Sequence, residues 1–150
     1  MEITADMIKV LREETGISVM QCKKALEEAG GDMEKARTEL RAMSAAQAEK
    51  KSDRTIGAGI IASYIHSNKK MGVLVELSCE TDFVAQNDEF VSAANQIAMH
   101  IGAMEPENVE ALLEQPFIMN PEMNIKQVVD GLVQKTGERV EIGKFVRYSI

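Results

Sequence analysis

Histidine and cysteine, the side chains that most often bind metals or act as nucleophiles, are few in this sequence and lie far apart. The only histidines are His66 and His100, and neither stands in a HExxH or similar metal-binding spacing. Cys22 and Cys79 belong to no CxxC or Cys/His cluster, so we expect free thiols in a reducing compartment. The sequence therefore predicts no metal site and no catalytic nucleophile.

Glycine motifs that bind nucleotides are also missing. No GxxxxGK[ST] phosphate loop occurs, and Gly57-Ala58-Gly59 precedes a predicted strand, whereas a dinucleotide loop follows one. Acidic pairs such as Glu13-Glu14 and Glu27-Glu28 are typical of solvated helix faces. We therefore expect no cofactor, no bound nucleotide and no enzymatic chemistry in this chain.

Met20 is the first of two features that point to contact with another protein. The apolar stripe of the predicted second helix is formed by Val19, Cys22, Leu26 and Ala29. At about 100° per residue, Met20 points roughly 150° away from the centre of that stripe, onto a charged face. Single exposed methionines are common, so an incidental position and a contact surface are both open.

The segment Thr81-Asp82-Phe83-Val84 is the second feature. It lies between a predicted strand and a predicted helix, and binding residues often occupy loops that rigid elements support. Phe83 either folds back as a plug of the local core or stands out as an aromatic wedge with Asp82 beside it. The pattern by itself leaves both alternatives open.

Residues 1–50 are predicted to form a module of three short helices. Gly16 ends the first helix, Ser18 caps the second, and Gly30-Gly31 ends the second with a left-handed stop. Gln21 stands three residues after Ser18 and completes a capping-box pattern. Connections of only a few residues favour a compact bundle.

The third helix carries apolar residues at helical spacing from Met33 to Met43. Residues 44–56 lack strong apolar periodicity and carry charges, so we expect a frayed helix end and then a linker at 51–56. Charge supports a boundary, because residues 1–54 carry a net charge of -1 and the remaining residues carry -6.

Residues 57–150 are predicted to form an α+β core domain. A segment rich in Ile and Tyr before the turn at 67–70 and alternating apolar residues after it predict a hairpin of two strands. The predicted strands are 59–66, 71–79 and 139–148, and the predicted helices are 88–104, 107–114 and 125–135. The expected fold is a three-helix bundle followed by a three-stranded antiparallel sheet with helices on one face.

Overall composition limits the partners. The chain is 45% hydrophobic with a net charge of -7, which is typical of a soluble protein and unlike the basic footprint of nucleic-acid binders. No apolar run approaches the about 18 residues that a membrane span needs, and charges interrupt the N-terminus where a signal peptide would be apolar. We expect a cytoplasmic protein without direct nucleic-acid or membrane partners.

Three segments of the sequence resemble bacterial elongation factor Ts. The N-terminal runs KVLREETG (residues 9–16) and MQCKKALE (20–27) are similar to the family's first helices. GVLVELSCETDFVA (72–85) is similar to its central signature, and LEQPF (113–117) is similar to a third segment. The segments occur in the family's order and together span most of the chain.

The resemblance implies a nucleotide-exchange factor whose partner is elongation factor Tu, a GTPase that carries aminoacyl-tRNA. In the family, the Asp-Phe pair of the signature, here Asp82 and Phe83, enters the GTPase near its magnesium and phosphate site. Thr81 and Val84 complete that signature. No residue of such a factor needs to perform acid–base chemistry.

The resemblance also implies a ubiquitin-associated-type N-terminal module that docks on the GTPase through positions matching Arg12, Val19 and Met20. A second methionine is common in the family where this chain has Val19, so that contact is expected to be weaker. The remainder resembles a dimerisation-type core, and a homodimer without a disulfide link is expected. Longer members carry an insertion or a second core copy where this chain has only residues 102–111.

A binding module of another class is the main alternative. An adaptor that holds peptides or nascent chains would need only the three-helix module of residues 1–50. It would leave the signature around Phe83 without a role.

Overall fold

The chain begins with three helices, α1 (Ala5–Thr15), α2 (Val19–Glu28) and α3 (Met33–Lys50), in a computed structural model that describes residues 1–150. Gly16 ends α1 with the left-handed backbone angle φ of 70°, a conformation that glycine adopts without steric cost. Ser18 caps α2, because its hydroxyl accepts a hydrogen bond from the Gln21 N–H at 3.3 Å. The predicted capping box is incomplete, since the Gln21 side-chain oxygen lies 3.2 Å from the Ser18 hydroxyl and not on its backbone N–H.

The bundle has a small core of its own. Its seven buried residues are Leu11, Ile17, Cys22, Ala25, Leu26, Ala36 and Leu40. Val19, which the helical wheel placed in the apolar stripe of α2, is 51% exposed. It is the first residue of α2, so no preceding turn of that helix covers it, and Ala25 is buried in the stripe instead.

Helix α3 continues beyond the point where sequence periodicity fades. The predicted frayed end is wrong for residues 44–50, which are helical, with Ser44 buried and Ala48 packed against the second core. Alanine has the highest helix propensity but a weak apolar signal, so an alanine-rich stretch forms helix without showing a stripe. The second half of α3 packs along the helix Ile125–Thr136. This packing joins the three-helix bundle to the rest of the chain.

The rest of the chain alternates strands and helices. The strands are β1 (Ala58–Ile65), β2 (Met71–Cys79), β3 (Pro116–Phe117), β4 (Asn120–Asn124) and β5 (Glu141–Ser149). The helices are α4 (Asp82–Ala85), α5 (Asp88–Met104), α6 (Val109–Glu114) and α7 (Ile125–Thr136). None of the helices is both long enough and apolar enough to cross a membrane.

Strands β1, β2 and β5 form the predicted three-stranded antiparallel sheet, in the order β1-β2-β5. One face packs against α5 over a core of 20 buried residues that includes Val73, Val75, Leu77 and Ile97. Gly59 allows close strand approach, because a Cβ there would lie 2.7 Å from the Leu77 carbonyl oxygen. The predicted fold class is confirmed: helices cover one face of the sheet.

A small hairpin of β3 and β4 was not predicted from the sequence. The buried side chain of His100, on α5, holds the connection between β3 and β4, because the Ile118 N–H donates a hydrogen bond to its Nδ1 at 3.3 Å. Nε2 therefore carries the hydrogen and donates to the Gln115 side-chain oxygen at 2.9 Å. Burial lowers the pKa of His100, so the ring stays neutral.

Candidate protein-binding site

The signature segment forms a single rigid turn at the end of β2. Thr81 caps α4, since its hydroxyl accepts from the Val84 N–H at 3.4 Å. Val84 and Ala85 are buried in the core and anchor the turn, whereas Phe83 is 86% exposed. The core-plug interpretation of Phe83 is therefore wrong, because the residue that fills the local core is Val84. A buried Val84 supports the turn from beneath and presents no free surface.

Asp82 lies beside Phe83 on the exposed side of the turn. Its carboxylate forms no ion pair and no side-chain hydrogen bond within the chain, as only its backbone oxygen accepts a bond. A large aromatic ring and a free negative charge are thus presented together. This combination suits displacement of another protein's groups by steric and electrostatic contact.

Glu138 fixes the base of the turn, and the sequence reasoning did not find it. Its Oε1 accepts from the N–H groups of Glu80 and Thr81 at 3.1 and 3.0 Å, and its Oε2 accepts from the Thr81 hydroxyl at 2.7 Å. Glu138 follows the glycine that ends α7, which is an ordinary place for an exposed acid. No local pattern reveals a partner 57 residues away.

Cys79 supports the same turn from inside the core. Its thiol donates to the Thr81 carbonyl oxygen at 3.2 Å. Burial raises the pKa of Cys79, and the Glu138 carboxylate raises it further, so the thiol keeps its proton. A protonated thiol is the form that can donate this hydrogen bond.

The residues around the turn tie it to distant parts of the chain. Glu80 accepts from the Arg139 N–H at 2.8 Å and forms an ion pair with Arg54 at 3.6 Å. The Arg139 guanidinium donates to the Arg54 carbonyl oxygen at 2.7 Å. Glu80 is only 19% exposed in its side chain, so this pair is shielded from water better than an ordinary surface pair.

Met20 is 80% exposed near the start of α2. The charged residues on its face form two ion pairs one turn apart, Lys23 with Glu27 and Lys24 with Glu28, both at 3.7 Å. Pairing satisfies these charges within the helix, and Met20 and the half-exposed Val19 are then the unpartnered groups at its beginning.

Arg12 is exposed on α1 and forms no ion pair or side-chain hydrogen bond within the chain. It lines a polar cleft with Glu89 at the start of α5 and Lys135 at the end of α7. The cleft connects the bundle to the helix that follows the Phe83 turn. Met20 does not line this cleft, so Arg12 is the predicted bundle residue that the fold places beside the start of α5.

No group of three or more histidine, cysteine or acidic side chains is arranged to hold a metal ion. The described surface presents an exposed aromatic ring, a free carboxylate, an exposed methionine and an unpaired arginine.

Comparison with known proteins identifies the family. Residues 2–110 and 80–150 match the family model described as Elongation factor TS. The chain is 40% identical to the elongation factor Ts of Thermotoga petrophila over 193 aligned positions, which cover 100% of this chain and 97% of the relative. It is 39% identical to that of Desulforamulus reducens, with 99% of this chain and 89% of the relative covered.

The elongation factor Ts of Fervidobacterium nodosum is 40% identical over 195 positions that include 100% of this chain and 99% of the relative. Because these alignments are longer than the 150 residues of the chain, the relatives contain segments that this chain lacks. The alignments nevertheless cover 100% of this chain. The chain belongs to the elongation factor Ts family.

Proposed function

We propose that this chain is a guanine nucleotide exchange factor that binds elongation factor Tu·GDP and promotes GDP release during translation elongation. The observation that carries the proposal is the 86% exposure of Phe83 within the family's signature. The turn that carries Phe83 is anchored by the buried Val84 and held by hydrogen bonds to Glu138. The protein acts by contact in the cytoplasm, without a cofactor and without binding nucleic acid or membrane.

Exchange follows from weakening the groups that hold GDP. In the GTPase, magnesium and the phosphate loop bind the diphosphate by charge. A rigid ring at Phe83 that shifts the elements carrying those groups reduces nucleotide affinity, and the free carboxylate of Asp82 acts next to it. Linkage then requires that bound GDP weakens factor binding by the same factor.

The N-terminal module provides the second contact. Arg12, Val19 and Met20 are exposed, and Arg12 lines the cleft that leads to the start of α5. We place the module at residues 1–50, the linker at 51–56 and the core domain at 57–150. Docking by the module raises the local concentration of Phe83 at the nucleotide site.

The outer face of the sheet supports a homodimer. Large apolar side chains project from all three strands on the side opposite α5, and the exposed ones are Ile61 (70%), Ile65 (63%), Leu74 (49%), Val146 (39%) and Tyr148 (74%). A second copy packed on this face would bury a continuous apolar patch, and both free cysteines are buried away from it. Light scattering tests this: a dimer mass is expected, and a monomer at working concentration contradicts it.

Release of a fluorescent GDP analogue from elongation factor Tu tests the proposed function. The factor should accelerate release in proportion to its concentration until it saturates. A pull-down with the same GTPase should lose the complex when GDP is in excess, because the two ligands are negatively coupled. An adaptor would give neither acceleration nor nucleotide-sensitive binding, and that result would overturn the proposal.

A further inference from the structure

We propose that Glu138 is a positioning residue for nucleotide exchange: it holds the turn that carries Phe83 in the orientation needed to displace the GTPase groups. This inference rests on the proposed function. It concerns a residue outside the signature, on the segment between α7 and β5.

Glu138 is the only side chain that binds both the backbone and the hydroxyl of Thr81. Three donors converge on its carboxylate at 2.7 to 3.1 Å, two from backbone N–H groups and one from the Thr81 hydroxyl. Hydrogen bonds to an ionised acceptor are stronger than neutral ones. They fix Thr81, which caps α4, so the direction in which Phe83 projects depends on Glu138.

The remaining supports of the turn do not replace this function. Val84 and Ala85 bury apolar surface. Because hydrophobic burial is non-directional, it keeps the turn attached to the core but does little to prevent the turn from rotating. The Cys79 thiol is a weak donor to the Thr81 carbonyl oxygen. Removing Glu138 therefore leaves an anchored turn whose exposed ring is less tightly oriented, and small errors in placement are costly for a displacing group.

Glu138 also lies where three parts of the chain meet. The carbonyl oxygen of the preceding Gly137 accepts from the Lys51 ammonium at 2.6 Å, from the segment that follows α3. Helix α7 packs along α3, whose first half belongs to the bundle. Glu138 thus joins the Phe83 turn to the end of α7, and α7 in turn packs along the helix that carries the bundle.

The test compares Glu138→Ala, Glu138→Gln and a matched control, Glu107→Gln, at an exposed glutamate with no side-chain partner. GDP release from elongation factor Tu is measured over a range of factor concentrations. Glu138→Ala should lower the maximal release rate about tenfold, the loss expected for hydrogen bonds to a charged group. The half-saturating concentration should change less, because docking through the bundle is intact.

Glu138→Gln keeps one oxygen that can accept from the two backbone N–H groups, so it should recover most of the maximal rate. Glu107→Gln should match the wild type. A loss of purely structural origin would instead lower the melting temperature and leave the release rate per folded molecule unchanged. Amide hydrogen exchange of residues 82–85 should accelerate in Glu138→Ala while α5 stays protected.

A double variant decides whether Glu138 acts through Phe83. If it does, Glu138→Ala combined with Phe83→Ala releases GDP as slowly as Phe83→Ala alone, since the ring to be positioned is gone. Fully additive losses, or a Glu138→Ala variant with the wild-type maximal rate, overturn the inference. If the wild-type factor itself fails to accelerate release, the proposed function has failed, which is a separate result.

Discussion

Met20 of the bundle and Phe83 of the α+β core are both large apolar side chains that are exposed, but the two regions hold them in different ways. Met20 projects from a regular helix, and the charges around it are paired one turn apart. Phe83 projects from a four-residue helix, and side chains from two other segments hold its base by hydrogen bonds. Met20 has conformational freedom on a solvated face, whereas Phe83 is carried on a braced turn.

For the proposed function, this difference assigns docking to the bundle and displacement to the core. A flexible methionine adapts to a partner surface and contributes binding area, which is the requirement for docking. A ring that must displace bound groups needs a rigid support. On a mobile support the ring itself would move, and the partner's groups would stay in place. Substitutions at these sites should therefore change different kinetic quantities.

Phe83→Ala should give the largest effect. Loss of a contact worth about 2 kcal/mol at the release step slows factor-driven GDP release roughly thirtyfold. The free energy of unfolding should stay within about 0.5 kcal/mol of wild type, because the ring is exposed in the free protein. Stopped-flow release of a fluorescent GDP analogue and thermal unfolding measure the two quantities.

Val84→Ala is the matched control for that prediction. It removes buried methyl groups under the turn, so it should destabilise the fold by about 1–3 kcal/mol. If Phe83→Ala lowers stability as Val84→Ala does, the assignment of support and wedge is reversed. If Phe83→Ala releases GDP at the wild-type rate, the wedge has no role.

Met20→Ala should give a smaller effect, on affinity. Complex formation with elongation factor Tu should weaken by about 1 kcal/mol, roughly fivefold, while the maximal release rate at saturation is nearly unchanged. Titration calorimetry of the nucleotide-free complex measures the first quantity. A large drop in melting temperature would show that Met20 stabilises the bundle, and the contrast with Phe83 would then disappear.

Lowering the pH should reduce the stability of the α+β core and leave the stability of the bundle unchanged. Of the predicted effects, this one should change nucleotide exchange least. The pKa of His100 is lowered by burial in the folded state, so the unfolded chain binds a proton at a pH where the folded chain does not. The contribution of His100 to the free energy of unfolding should therefore be fully present above the ordinary histidine pKa of about 6.5. It should fall as the pH drops below that value, by at most about 1.4 kcal/mol per pH unit.

Urea unfolding between pH 7.5 and 5.5 measures this dependence. His100→Gln should remove the part of the pH dependence that comes from this histidine. Hydrogen exchange should show the loss of protection at α5 and at the β3–β4 hairpin, where the Ile118 N–H needs a neutral ring. Equal loss of protection in α2 would contradict the assignment to the core.

The sequence by itself determined most of the helices and strands and the resemblance to the family. Glycine stops, the Ser18 cap and two alternating strands predicted most helices and strands to within a few residues, since these signals are local. It missed the β3–β4 hairpin, whose short strands carry no periodicity, and it misjudged residues 44–50, because alanine favours helix without forming an apolar stripe.

Only the tertiary structure decided which residues of the candidate site are exposed and which are buried. Alternation and helical period constrain a residue within a long element, but Phe83 and Val84 share a four-residue helix, too short for a period to assign the buried one. The brace at Glu138 is likewise invisible locally, because its donors lie 57 and 58 residues away and are adjacent only once α7 and β2 pack in one fold.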